Sequence, residues 1–309
     1  MDPKLQNISD YAGKFSKEII AKIFLSLMDQ EITVLTNIKG KTWFPKLIIG
    51  KGLKPYTGQF VPNDRINYTK RAVDPQMFQH DTAIDVRRYH GTWLTEMVGK
   101  NAKENKMPFE NFTWAAIIDE LHEELIPALF KGIQGGVDVD TALNIFNGFE
   151  FRILELIAAG KAPIATGAID SVNAFEIYEG IYEGAMDTFP AWRRKLVNLY
   201  CSSSNADKYI DAYRTKFNGQ DPYNWSDTPG PLYLKKNKGK VKITPVDWLA
   251  DSNRLIISPK ENLVMATDAL SDFSTIKVVE DVYNLKAGIT GTVDCQILDD
   301  EACWFNELS

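Results

Sequence analysis

The 309-residue chain has little of what chemistry at a protein site usually needs. Histidine occurs three times, as His80, His90 and His122, and cysteine three times, as Cys201, Cys295 and Cys303. The cysteine spacing matches no paired-thiolate zinc motif. An odd cysteine count without a secretory signal reads as reduced thiols in an intracellular compartment. The opening MDPKLQNISDYAGK is too polar for a signal peptide. No apolar run approaches the ~20 residues of a membrane span, so no membrane partner is expected. A glycine-rich phosphate loop and a nucleophile elbow are both missing.

The few residues that invite a chemical reading have plainer ones. His122 lies in DELHEEL with only Asp119, Glu120, Glu123 and Glu124 around it, and no second histidine one turn away. That pattern reads as a solvated acidic helix face rather than a metal site. Asp138 and Asp140 in GVDVDTAL hint at calcium, but Asp140 is explained by helix capping. Cys201, in LYCSSSN, has no histidine to activate it and reads as a small buried residue ending a strand. No catalytic, cofactor-binding or metal-binding residue is assigned, no cofactor is expected, and the reading is not that of an enzyme.

What is present is ordinary core material, 44% hydrophobic and 25% charged, as in a soluble globular protein. The net charge of −6 argues against a dedicated nucleic-acid binder. The first 56 residues run the other way, with nine lysines against five acids. After a polar opening, Phe15, Ile19, Ile20, Ile23, Phe24 and Leu27 fall on one helix face. KTWFPKLII at 41–49 reads as a strand, with Pro45 placing it at an edge or bulge.

Residues 53–93 show no helical period, yet aromatic and β-branched residues are spread among charges, with turn signals at Pro62-Asn63-Asp64 and Asp74-Pro75. A structureless loop of that length is improbable in a compact domain. The expectation is a two-stranded arm, about 50 Å long if ~16 residues form each leg. Such a ribbon is marginal alone and wants a neighbour to lie on.

Pro108 to Lys131 carries the strongest helical stripe, Trp114, Ile117, Ile118, Leu121, Leu125 and Leu129, with Pro127 near its end. Further helices are expected from Thr141 to Ala159 (capped by Asp140), after Asn173, and from Asn205 to Phe217. Short strands are expected at Lys195–Cys201, Pro231–Leu234 and Val241–Pro245. The last fifth adds more, around Leu255–Ile257, Leu263–Met265, Thr275–Tyr283, Thr292–Ile297 and Ala302–Phe305. These must complete a sheet begun earlier in the chain. The class is α+β.

The closing pattern, Leu249-Ala250-Asp251-Ser252-Asn253-Arg254 through SPKENLVMATD to Asp299-Asp300, resembles major capsid proteins of tailed double-stranded DNA bacteriophages, of the Hong Kong 97 type. It looks most like those of Bacteroidetes phages and prophages. Met107-Pro108-Phe109 before the long helix, Pro190-Ala191-Trp192-Arg193-Arg194, and Leu199-Tyr200-Cys201-Ser202 are similar too.

The resemblance implies a Hong Kong 97-like fold. Residues 1–30 would be an N-terminal arm and first helix, and 53–93 an extended β-hairpin loop. Residues 31–52, 94–140 and 246–309 would form a peripheral domain on a spine helix, and 141–245 an axial domain with a mixed sheet. Tyr56, Phe60, Arg65, Tyr68, Arg71 and Phe78 would contact a neighbouring subunit. Trp114, Ile118, Leu121 and Leu125 would form the core face of the spine.

The implied function is self-assembly as pentamers and hexamers into an icosahedral head around double-stranded viral DNA, held without sequence readout. Its location would be the virion, after assembly in the host cytoplasm. The implied partners are further copies of itself, a separate scaffolding protein (the chain being too short to carry one), a portal and decoration proteins. No lysine–asparagine cross-linking pair of the kind some members use is assigned. The alternatives are an encapsulin-like cellular shell and a cytosolic α+β enzyme without a recognisable site.

Overall fold

The longest apolar stripe of the sequence folds as the longest helix of a computed structural model that describes residues 31–49, 66–84, 109–136, 141–188, 197–220, 222, 231–235, 241–268, 275–280 and 285–308. The expected N-terminal arm and first helix lie outside these residues, as do 53–65 and 85–93 of the expected loop. Helix α1 (Phe109–Lys131) buries Trp114, Ile117, Ile118, Leu121, Leu125 and Leu129 and exposes Asp119, Glu120, Glu123 and Glu124. Pro127 sits inside it without ending it.

The helix expected from Thr141 to Ala159 is shorter. Ala142–Asn144 form a single 3-10 turn, and α2 (Phe149–Ala158) starts at Gly148, so Asp140 does not cap it. The break has a steric cause. Gly148 N donates to Gly132 O at 2.8 Å. A Cβ on Gly132 would lie 2.6 Å from the Ala128 and Phe146 carbonyls, and one on Gly148 would lie 2.5 Å from the Phe130 carbonyl. The start of α2 therefore presses backbone to backbone on the end of α1, which only glycine allows.

Helix α3 (Ala174–Thr188) is entered through a reciprocal cap rather than through Asn173 alone. Asp170 Oδ1 accepts from Val172 N and Asn173 N, and Asn173 Oδ1 accepts from Asp170 N. Helix α4 (Ser203–Lys216) is capped by the Ser202 hydroxyl, which accepts from Asn205 N.

Two five-stranded sheets and a separate ribbon organise the strands among the described residues. In the first sheet, β1 (Thr33–Leu35) runs parallel to β9 (Leu263–Ala266). The long β11 (Leu285–Ile297) then pairs antiparallel with β9, β10 (Thr275–Glu280) and β4 (Gln76–Ile84). The second sheet is ordered β12 (Trp304–Phe305), β8 (Ile256–Ser258), β5 (Val197–Cys201), β7 (Val241–Pro245), β6 (Leu232–Tyr233). The ribbon is β2 (Thr42–Ile49) antiparallel to β3 (Ile66–Val73).

Three expectations are corrected here. The ribbon legs are 42–49 and 66–73, so the 41–49 strand is part of the arm and Asp74-Pro75 is a corner rather than a hairpin tip. Residues 76–84 belong to the first sheet; there Phe78, expected at a contact with a neighbouring subunit, is 6% exposed and packed in its own chain's core. The closing strands do not all return to one sheet, because β8 and β12 pair in the second. The α+β class stands.

Period-2 alternation sorts the second sheet into two cores. Leu199, Cys201, Ile257 and Trp304 face α3 and α4, while Tyr200, Ile256 and Phe305 face the core built on α1 and α2. All five residues of β5 are buried, as expected of a strand covered on both faces. Trp248 is the hub of the α1 core, with ring centroids 5.2 Å from Phe149 and 6.0 Å from Phe130 and Tyr200.

Helix α2 also carries charge to both sheets. Glu150 binds Arg254, just before β8, through both carboxylate oxygens at 3.1 and 2.5 Å. The Arg254 side chain is 2% exposed and also donates to the Asn306 carbonyl. Arg152 donates to Asp294 Oδ1 and to Cys295 O on β11. Removing one partner of a buried pair leaves the other charge uncompensated. Glu150→Ala should thus lower the free energy of unfolding by ~3–5 kcal/mol, while Glu150→Leu with Arg254→Met should recover most of it. Denaturant titrations of the three chains check this; a single variant as stable as wild type would contradict it.

Candidate assembly surface

Groups that could do chemistry are spent in the core. Cys201, Cys295 and Cys303 are free and buried. Burial pushes the thiols of Cys201 and Cys303 up to about 12 and that of Cys295 well above its ordinary value, so thiolate is scarce at neutral pH. Burial likewise raises the phenols of Tyr178, Tyr200 and Tyr209. Among the described residues no three His, Cys, Asp or Glu side chains are grouped to hold a metal ion. No described helix is long and apolar enough to cross a membrane. His122 is half-buried on α1; Asp138, Asp140 and His90 lie outside the described residues.

Two open hollows flank β4. One, about 710 Å³, runs between β4 and the end of α1, with His80 and Glu124 in its wall; the other, about 890 Å³, lies on the outer face of β10, β11 and β4 beside Met77, Lys277, Val279 and Lys286. No cysteine or serine lines either. Both are open to the surface rather than enclosed.

Among the described residues, the ribbon pairs with neither five-stranded sheet. Register pairs Phe44 with Arg71 and Lys46 with Thr69 on one face, and Trp43 with Ala72 and Pro45 with Lys70 on the other. Lys46 Nζ lies 2.6 Å from Asp299 Oδ1 and 3.0 Å from Glu301 Oε2, and Arg71 pairs with Asp300. On the opposite face Trp43 is 54% exposed.

Arg71 is thus engaged within its own chain. Tyr68 lies on β3 opposite Leu47, while Tyr56, Phe60 and Arg65 fall outside the described residues. Trp43 was missed from sequence because 41–49 read as an ordinary edge strand, although its aromatic pair Trp43-Phe44 was the available signal. Of the acids, Asp299 and Asp300 stood out only as the end of the closing pattern, and Glu301 not at all. Their role needs Lys46 and Arg71, more than 220 residues away.

Near the start of β1, Glu31 ties both sheets together. Its carboxylate accepts from Lys242 Nζ at 2.7 Å and Lys260 Nζ at 3.3 Å, and its carbonyl from the Tyr200 hydroxyl.

No protein-family model and no curated protein matches the chain. Solved structures do match. A chain of the satellite phage P4 procapsid including size determination (Sid) protein superposes with a TM-score of 0.57 at 12% identity, over 93% of this chain and 98% of that one. A chain of the capsid of an empty GTA particle gives 0.57 at 13% identity, over 91% and 89%. One from the capsid of cyanophage A-1(L) gives 0.55 at 12% identity, over 92% of each. The fold is the Hong Kong 97-like fold of phage capsid proteins. At such identities the likeness carries the fold and no lineage. Among the described residues, the ribbon and the outer face of the first sheet expose large apolar side chains: Trp43 on the one, Met77 and Val279 on the other.

The Lys242 and Lys260 ammonium groups, Lys242 foremost, hold the Glu31 carboxyl below its ordinary value of 4.5 against the opposing effect of burial. A depressed folded value contributes stability in full above the unfolded one and loses it as pH falls through the folded one. Glu31→Gln should lower the melting midpoint at pH 7 by about 1–3 °C. It should also fall less than wild type between about pH 5 and pH 3. Parallel midpoints across that window would show that the Glu31 pairs contribute nothing.

Proposed function

We propose that the chain is a major capsid protein that self-assembles as pentamers and hexamers into an icosahedral shell around double-stranded DNA. The observation that carries this reading is the near-complete superposition on a P4 procapsid chain, over 93% of this chain and 98% of that one. The role is structural, not enzymatic, which agrees with the high thiol values and the open, contact-type hollows. The part of the chain on the first sheet and α1 corresponds to the peripheral domain, and the part on the second sheet with α3 and α4 to the axial one. On this reading the ribbon lies on a neighbour, with Trp43, Tyr56, Phe60, Arg65 and Tyr68 supplying contact. A separate scaffolding protein, a portal and decoration proteins complete the head, which is built in the host cytoplasm. DNA is enclosed by charge without base readout.

Mass photometry and negative-stain electron microscopy of the expressed chain, alone and with scaffold, should show capsomers or closed particles in the megadalton range. A stable monomer or small oligomer under all these conditions would overturn the reading. Particles that enclose a cellular enzyme rather than DNA would mark the encapsulin-like alternative. Replacing Trp43, Phe60 and Tyr68 with serine should leave the cooperative melt within about 2 °C of wild type while reducing particle yield at least about tenfold, since contacts at an interface core carry most of its energy. By contrast, Leu121→Asp, which sets a charge in the α1 core, should unfold the subunit itself.

A further inference from the structure

The contacts that fix the angle of the ribbon are of two kinds. The inner ones lie at the corner where β3 turns into β4. There Asp294 Oδ2 accepts from Asp74 N at 2.8 Å, and Gln296 Nε2 donates to the Ala72 carbonyl at 2.9 Å. Both side chains belong to buried residues of β11. The outer ones are the pairs of Lys46 with Asp299 and Glu301 and of Arg71 with Asp300, all part-exposed or exposed. Buried hydrogen bonds persist in salt, whereas exposed ion pairs are screened.

The acidic turn is tied to the body by bonds that do not involve the ribbon. Asp299 N donates to Asn262 Oδ1, Asn262 Nδ2 donates to the Asp299 carbonyl, and Lys161 donates to the Asp300 carbonyl. Asp299 Oδ1 also caps the turn by accepting from Glu301 N. The body thus presents three carboxylates, on a turn whose backbone is anchored, to two cations that sit diagonally on one ribbon face.

We propose that Asp299, Asp300 and Glu301 form a charge-operated latch for the β2–β3 ribbon. With the latch engaged, the ribbon's root is held to the body and Trp43 is turned outward. With the charges screened, the ribbon swings about the Asp74-Pro75 corner, still held by Asp294 and Gln296. The device is built from contacts within one chain and works whether or not subunits assemble.

The test uses full-length protein with spin labels at Lys70→Cys, on the outer ribbon face, and Leu154→Cys, exposed on α2, diluted with unlabelled chain. The three native thiols are buried and stay unlabelled. Pulsed electron resonance at low salt should give one narrow distance distribution. At ~1 M NaCl, where the screening length shrinks to ~3 Å, it should broaden at least about twofold. Lys46→Gln with Arg71→Gln should be broad at both salts, and Lys46→Arg with Arg71→Lys, which keep the charges, should be narrow at low salt. A wild-type width unchanged by salt, or a glutamine variant as narrow as wild type, would overturn the latch. Should the glutamine variant fail to fold, the wild-type salt series decides alone.

Discussion

The bidentate pair between Glu150 and Arg254 is the constraint on which the arrangement of the two sheets rests. Arg254 leads directly into β8 of the second sheet, and Glu150 lies in the first turn of α2. Two residues further along α2, Arg152 grips Asp294 and the Cys295 carbonyl on β11 of the first sheet. One ten-residue helix therefore has a charged hold on each sheet. Aliphatic contacts between layers tolerate several offsets, but a guanidinium–carboxylate fork is satisfied in one. The cost of burying Arg254 is offset in part because its third nitrogen, Nη1, donates to the Asn306 carbonyl, while Asn306 itself closes on Leu255 N and the Asn253 carbonyl. The last strand is thereby stitched beside β8.

How much of this was legible in the sequence depended on the range of the interaction. The α1 stripe and the Ser202 cap of α4 are local patterns, and a 3.6-residue period or a hydroxyl before a helix reports them directly. The break before α2 was not legible, because Gly148 is required by the carbonyl of Phe130, a contact between elements. The short apolar runs at Leu255–Ile257 and Ala302–Phe305 announced strands. They could not say that these strands would leave β9 and β11 for the other sheet, since a strand's pattern does not name its partner. For the same reason Phe78 read as an arm residue, when its β4 register with Gly291 places it in the core; a Cβ on Gly291 would meet its ring at 2.7 Å. The surface was harder still. Nothing near Lys46 in sequence foretells Asp299.

The two levels of stability in this chain follow from where polar groups are placed. Inside, the Arg254 and Asp294 side chains are enclosed by partners that fix their geometry. At the ribbon, the described attachments narrow to a buried corner and a set of exposed charges, and two strands alone are marginal in water. If, as proposed, the chain joins copies of itself at more than one angle in pentamers and hexamers, it gains from that division. A rigid body keeps the shell thickness and the docking faces constant. In such a subunit the ribbon, held by part-exposed charges, would exchange them for contacts with a neighbour. The ribbon's outer face already carries an indole, Trp43, that the subunit's own core leaves more than half exposed. A latch of charges on its inner face and an aromatic on its outer face place the two opposing tendencies on opposite sides of one two-stranded element. Rotation about a single corner then suffices to favour one over the other.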